Sequence, residues 1–231
     1  LLDTTPLYEL LAKEIQFSQI QKGIDRGIFD GIACSAFCYK DSRTVTYIQS
    51  KDNVSWDRPR RYSKATKLKI QHILASCAIP VLFPSRKIGK DHFADGAFRN
   101  TTPISPIIHM GANKILNVGV RSRDLNSTPY VKTPGLAKIL GEIINSLFFD
   151  TLDVDIERIN NINEIVEAMN SDVTTERSEY SKIDCEIIRP SEDIAKISQM
   201  RSKSGLPKTI DFLMQGIGTR EDMAELSSYI L

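Results

Sequence analysis

The stretch Ile88–Val120, IGKDHFADGAFRNTTPISPIIHMGANKILNVGV, carries the first decision about the fold. Ile88 to Ala94 is built of strand-forming residues and stops at Asp95-Gly96. Pro103 to Met110 predicts a short helix with Gly111 as its C-terminal glycine, and Ile115 to Val120 predicts an apolar strand. Strand, loop, helix and strand in that order imply a right-handed crossover and a mostly parallel sheet, hence an α/β fold. Asp95 then sits at a strand end, where two readings compete. A short acid before glycine is ordinarily an Asx turn that caps its own backbone. The same position is a sheet rim, where α/β proteins place their chemistry, and Gly96 and Ala97 keep the approach uncrowded. Local physics alone favours the turn.

Upstream, Thr4-Thr5-Pro6 before Leu7, Leu10 and Leu11 reads as a hydroxyl-capped helix start. Gly31–Tyr39 alternates, Lys40–Arg43 is turn chemistry and Thr44–Gln49 is β-rich, which predicts a hairpin. Cys34 and Cys38 share one face of its first strand, as core residues do. Ala65–Ser76 has helical spacing at Leu68, Ile70, Ile73 and Leu74, stopped by Pro80. Downstream, Leu136 to Leu147 and Ile156, Ile159, Ile162, Ile165 and Met169 form two helical stripes. Asp184–Arg189 adds a strand before two further helical segments. The expected organisation is a region 1–133 holding the sheet and a mainly helical region 134–231.

Composition narrows the partners. Thirty basic and 29 acidic residues leave a net charge of +1, so no electrostatic argument favours nucleic acid. Arg58-Pro59-Arg60-Arg61 reads as a solvated basic face. No run of 18 apolar residues occurs, so no transmembrane helix is expected. Four cysteines at positions 34, 38, 77 and 185 match neither a zinc spacing nor a small disulfide scaffold, and fit a reducing compartment. The sequence does not fix the compartment; a cytoplasmic location is the expectation, with peripheral membrane contact left open.

Other constellations give no cofactor or metal. Asp150, Asp153, Asp155 and Glu157 lack the glycine and terminal glutamate of a calcium loop. His72, His92 and His109 lack metal-pair spacing. Gly23, Gly27 and Gly31 lead into a strand and serve turns and helix ends, not a phosphate loop. The nucleophile elbow Gly-x-Ser-x-Gly occurs nowhere in the 231 residues.

Three blocks in order carry a family resemblance. Leu2-Asp3-Thr4-Thr5-Pro6-Leu7 comes first. Ala75-Ser76-Cys77-Ala78-Ile79-Pro80 with Leu82-Phe83-Pro84 follows, then Asp95-Gly96-Ala97 with Pro103-Ile104-Ser105-Pro106 and Gly111-Ala112. Together, over roughly Leu1 to Val120, they resemble bacterial patatin-like phospholipases. The resemblance implies a three-layer α/β/α sheet domain, present in part, with a mainly helical C-terminal part. It implies a lipid acyl hydrolase using a Ser–Asp dyad, and assigns the dyad acid to Asp95. It reverses the local preference for a mere turn.

An ester hydrolase also needs a nucleophile and oxyanion donors. In the family both lie upstream of the Leu-Asp-Thr-Thr-Pro-Leu block, where this chain begins. The expectation is therefore a C-terminal portion that is inactive alone. It would bind its missing N-terminal half, or self-associate, and meet a lipid or other acyl-ester substrate in the assembled enzyme. The competing expectation is a catalytically dead patatin-like binding or scaffold module.

Overall fold

The computed structural model describes residues 2–80, 82–99, 104–119, 139, 151–171 and 182–191; within the long helix, side chains are described for 155–169. Backbone contacts divide the chain into two units, Leu1–Ile115 with Ile165–Ile183, and Leu116–Glu164 with Asp184–Leu231.

The first unit is organised by a hairpin. Strands β1 (Gly31–Cys38) and β2 (Arg43–Ser50) pair antiparallel over their full length, Gly31 opposite Ser50 and Cys38 opposite Arg43. Their turn tightens through Ser42, at φ 55°, while the Asp41 carboxylate accepts the Arg43 N–H at 3.1 Å. A small ribbon, β3 (Asp57–Arg58) and β4 (Arg61–Ala65), extends the sheet, with β4 parallel to β2. On the other side lie β6 (Asp91–Asp95), antiparallel to β1, and β5 (Arg86–Ile88), antiparallel to β6. The order is β3-β4-β2-β1-β6-β5.

Helices α1 (Thr5–Glu14), α2 (Phe17–Asp25) and α3 (Ile70–Ser76) precede β5. Ala36, Cys38, Val45, Tyr47, Leu68, Ala75 and Phe93 form the core between the sheet and α3, with Phe17, Ile20 and Cys34 packed against it. Burial of these apolar side chains is the main stabilising term. Helix α4 (Ile104–His109) approaches the opposite face of β1, so that strand has helices on both sides. The fold is a mixed α/β sheet with flanking helices, of the class the resemblance implies.

Several local expectations hold: the 31–49 hairpin, the strands ending at Asp95, the short α4 and the positive φ of Gly111 (92°) that follows it. The mostly parallel sheet does not. Within this sheet only β2 and β4 run parallel, and β7 (Lys114–Val118) pairs instead with β8 (Asp184–Ile188) in a separate ribbon. The order strand–loop–helix–strand is compatible with either outcome; which edge β7 finds is a long-range matter. The helix expected from Ala65 starts only at Ile70, because β2 captures the preceding backbone. Ala65 pairs with Ile48, the Thr66 N–H reaches Ile48 C=O at 2.8 Å, and the Leu68 N–H reaches Gln49 Oε1 at 2.8 Å.

The cap of α1 also differs. Asp3, not a threonine hydroxyl, accepts the Thr5 N–H at 2.9 Å and the Thr5 hydroxyl at 2.7 Å. These bonds hold its carboxyl below the usual carboxylate range. The Thr4 hydroxyl receives Arg86 instead, and the Leu2 N–H donates to Leu82 C=O at 2.9 Å.

In the long helix α5 (Thr151–Ser171), Ile159, Asn163 and Val166 are the buried side chains, while Ile162, Ile165 and Met169 of the expected stripe are exposed. Isoleucines spaced by three drift around a helix of 3.6 residues per turn. The stripe from Leu136 to Leu147 and the segments after the β8 strand lie outside the described residues, apart from the exposed Ile139.

Candidate active site

Asp95 is the last residue of β6 and lies opposite Ala36 in the β1–β6 register. Opposed residues of an antiparallel pair project to the same side, so Asp95 shares the α3 face with Ala36 and Cys34. By register its N–H points away from β1, and it donates to Ala78 C=O at 2.9 Å. The chain then leaves the sheet through a single 3-10 turn, Gly96–Phe98, which packs Phe98 on Phe37 with ring centroids 5.1 Å apart. Gly96 is required there, because a Cβ would come within 2.5 Å of Ser35 C=O.

The carboxylate caps that turn: Oδ1 accepts the Ala97 N–H at 2.8 Å. The Asx-turn expectation is thus correct as far as it goes. Burial, however, outweighs this bond and pushes the Asp95 carboxyl up to about 6. Cys34 and Cys77 are its titratable neighbours, and burial pushes both thiols up, Cys77 to about 11. A neighbouring carboxylate adds to both shifts and disfavours both thiolates, although Cys77 is exposed at the surface.

Two serines of the chain lie near. Ser35 precedes Ala36 on β1, so it points to the opposite face, where its hydroxyl meets Thr46 Oγ1 at 3.0 Å. Ser76, at the end of α3, lies beside Cys34, whose thiol donates to His72 C=O at 3.5 Å. Sequence alone did not single out the Cys34, Cys77 and Ser76 side chains around Asp95. The Ala-Ser-Cys-Ala block hinted at them only as a motif, since three segments far apart in the chain bring them together.

The histidines are structural. His72 is buried, its Nδ1 accepts the Lys69 N–H at 2.9 Å at the start of α3, and its ring packs at a tilt against Tyr47, centroids 4.5 Å apart. His109 stacks on Trp56 at 4.6 Å. Ser85 Oγ and His92 Nδ1 are 3.1 Å apart. A cavity of about 460 Å3 lies on the other face of β1, between Gly31, Ala33, Ser35 and the end of α4, and does not include Asp95.

The model of the patatin family, described as patatin-like phospholipase, matches residues 1–108. No curated protein and no solved structure matches the chain. The match takes in the capped α1, the whole six-stranded sheet, α3 with its Ala-Ser-Cys-Ala-Ile-Pro turn, and Asp95-Gly96-Ala97. Over residues 1–108, a little under half of its length, the chain is therefore similar to the patatin-like phospholipases, and its mixed α/β sheet is consistent with that fold.

Proposed function

We propose that the chain supplies the general base of a lipid acyl hydrolase, with Asp95 acting directly on a serine that is not among its own. The observation that carries this reading is a half-buried carboxyl at a strand end, pushed up to about 6 by desolvation, with Oδ1 held by the Ala97 N–H and, among the described residues, no hydrogen bond to Oδ2. At pH 7 such a carboxylate is mostly ionised, yet far more basic than an exposed aspartate at about 3.9. Oδ1 stays with the Ala97 N–H and orients the group. Oδ2 takes the proton from the serine hydroxyl as its oxygen attacks the ester carbonyl. The proton then passes to the departing alcohol, and a water molecule, deprotonated by the same oxygen, clears the acyl-enzyme.

Within the chain, Ser35 faces away and no Gly-x-Ser-x-Gly is present. The nucleophile and the oxyanion donors therefore come from another segment, and this chain alone is expected to show no turnover of short-chain nitrophenyl esters. In this reading residues 1–133 are the acid-bearing part of the catalytic domain and 134–231 an accessory, mainly helical part.

The deciding experiment places Asp95→Asn in a polypeptide that also contains a Gly-x-Ser-x-Gly segment. A general base contributes about 10²- to 10⁴-fold, so kcat should fall by that order while the fold persists. Undiminished kcat would return Asp95 to a turn role and leave a binding module as the reading.

A further inference from the structure

The basic run Arg58-Pro59-Arg60-Arg61 was expected to be a solvated face, but its register concentrates charge. Strands β3 and β4 join through the two-residue turn Pro59-Arg60, with Arg58 opposite Arg61 and Asp57 opposite Tyr62. Opposed residues of an antiparallel pair project to one side, and like charges set opposite each other destabilise the pair. The parallel register of β4 on β2 puts Arg61 beside Thr44 and Ser63 beside Thr46. Thr46 meets Ser35 on the face that α4 approaches, so Arg58 and Arg61 both belong to that face.

No acid answers them there. The ribbon's one acid, Asp57, lies on the other side with Tyr62. It is taken by Arg43, whose guanidinium also sits 4.6 Å over the Tyr62 ring. Among the described residues, Arg58, Arg60 and Arg61 make no ion pair. Their neighbour on α4 is His109, whose imidazole is held below its ordinary value by partial burial and then by the charges of Arg58 and Arg61. The His109 ring stacks on Trp56 with 4.6 Å between centroids and 17° between planes. Trp56 is 8% exposed, and its Nε1–H has no acceptor among the described residues. This corner of the sheet is rich in donors and positive charge and short of acceptors.

The backbone beneath the arginines is also held in place. The Thr44 N–H donates to Arg60 C=O at 3.0 Å, and the Arg43 guanidinium donates to Arg58 C=O at 2.7 Å. The Trp56 N–H donates to Ser63 Oγ at 2.8 Å, and the Ser63 N–H returns to Trp56 C=O at 2.9 Å. Such fixing lowers the ordering cost of closing the side chains on a ligand.

We propose that Arg58 and Arg61, opposed across the β3–β4 ribbon, form a binding site for a phosphate monoester. A carboxylate brings one charge and two oxygens, whereas a phosphate monoester brings about −1.5 to −2 charge and three acceptor oxygens. That matches two guanidinium forks and cancels their mutual repulsion. Arg60, exposed at the turn, adds to the attraction. Asp95 projects from the opposite face, three strands away in the order β4-β2-β1-β6, so a molecule held here does not compete for that carboxyl. The site stands or falls independently of the role proposed for Asp95.

A soluble ester and a lipid headgroup both carry this group, and the test separates them. It uses the full chain, glycerol phosphate as the soluble probe, and phosphatidic acid in phosphatidylcholine vesicles as the membrane-borne form of the same headgroup. Trp56 is the only tryptophan, so its emission reports on the ribbon directly. Glycerol phosphate should change that emission saturably and raise the His109 pKa, read by NMR, by about one unit. Chloride at the same ionic strength should do neither. Arg58→Gln and Arg61→Gln should each weaken binding by about 10-fold or more. Without ligand, both variants should stay folded and melt about 1–2 °C higher, because like charges no longer oppose each other. A response to glycerol phosphate but not to the vesicles assigns a soluble ligand, and vesicle binding that both variants lose assigns a headgroup; either supports the site. No response to either probe, an equal response to chloride, or unchanged binding by the folded variants would overturn it.

Discussion

At Asp95 the duties of a turn residue and of a base fall on different oxygens. Oδ1 holds the Ala97 N–H, which orients the group, while burial lifts the carboxyl to about 6. The shift has a stability consequence with a definite sign. A carboxyl whose folded pKa is raised binds its proton more tightly in the native state, so stability falls as pH rises from about 4 to about 6. The shift from 3.8 to about 6 corresponds to about 3 kcal/mol at neutral pH. Asp95→Asn, which keeps an oxygen for the Ala97 N–H, should therefore raise the urea midpoint at pH 7 and leave it unchanged at pH 3. In an assembled hydrolase, kcat/KM should rise with pH through about 6 as Asp95 ionises. Gly96 is the second demanding residue of the turn. A Cβ would meet Ser35 backbone at 2.5 Å, which no rotamer change relieves. Gly96→Ala should cost about 1–3 kcal/mol by the same measurement and displace Asp95.

At the scale of elements, α3 shows how a short helix is held in place. Its seven residues are too few to be stable alone, so its position depends on what it packs against. Ala75 enters the core, Tyr47 packs at a tilt against His72, and Leu68 just ahead is tied to Gln49. Burial lowers the His72 pKa below its ordinary value, and its ring nitrogen accepts the Lys69 N–H. Protonation removes that acceptor. A depressed histidine gives stability that is present above the unfolded pKa, about 6.5, and is lost as pH falls through it. His72→Ala should lower stability at pH 7 by about 1–3 kcal/mol and remove that part of the acid-side loss. Thermal melts of the two proteins between pH 5 and 8 check both statements. Because α3 ends at Ser76 and Cys77 against Asp95, its position also sets how deeply that carboxyl is buried.

Across the whole molecule, what was legible in sequence was local or motif-based. The alternation of Gly31–Tyr39, the turn at Lys40–Arg43 and the glycine after α4 each act over a few residues, and each forms where expected. The three motif blocks marked the patatin-like domain, and the family model matches residues 1–108. Misreadings cluster where distant segments compete for one backbone. Ala65 was helical by spacing until β2 paired with it, and Ile115–Val118 suited a parallel sheet until β8 offered another edge. The sequence by itself determined that Asp95 ends a strand, precedes a glycine and has no elbow serine in its own chain. Only the tertiary structure decided that this carboxyl is half-buried between β1 and the end of α3, where desolvation pushes it up to about 6. It also decided that, among the described residues, β6 pairs with β1 only from Ala36 to Cys38. Spacing fixes which residues can share a face, whereas desolvation and strand register depend on what segments remote in the chain bring alongside.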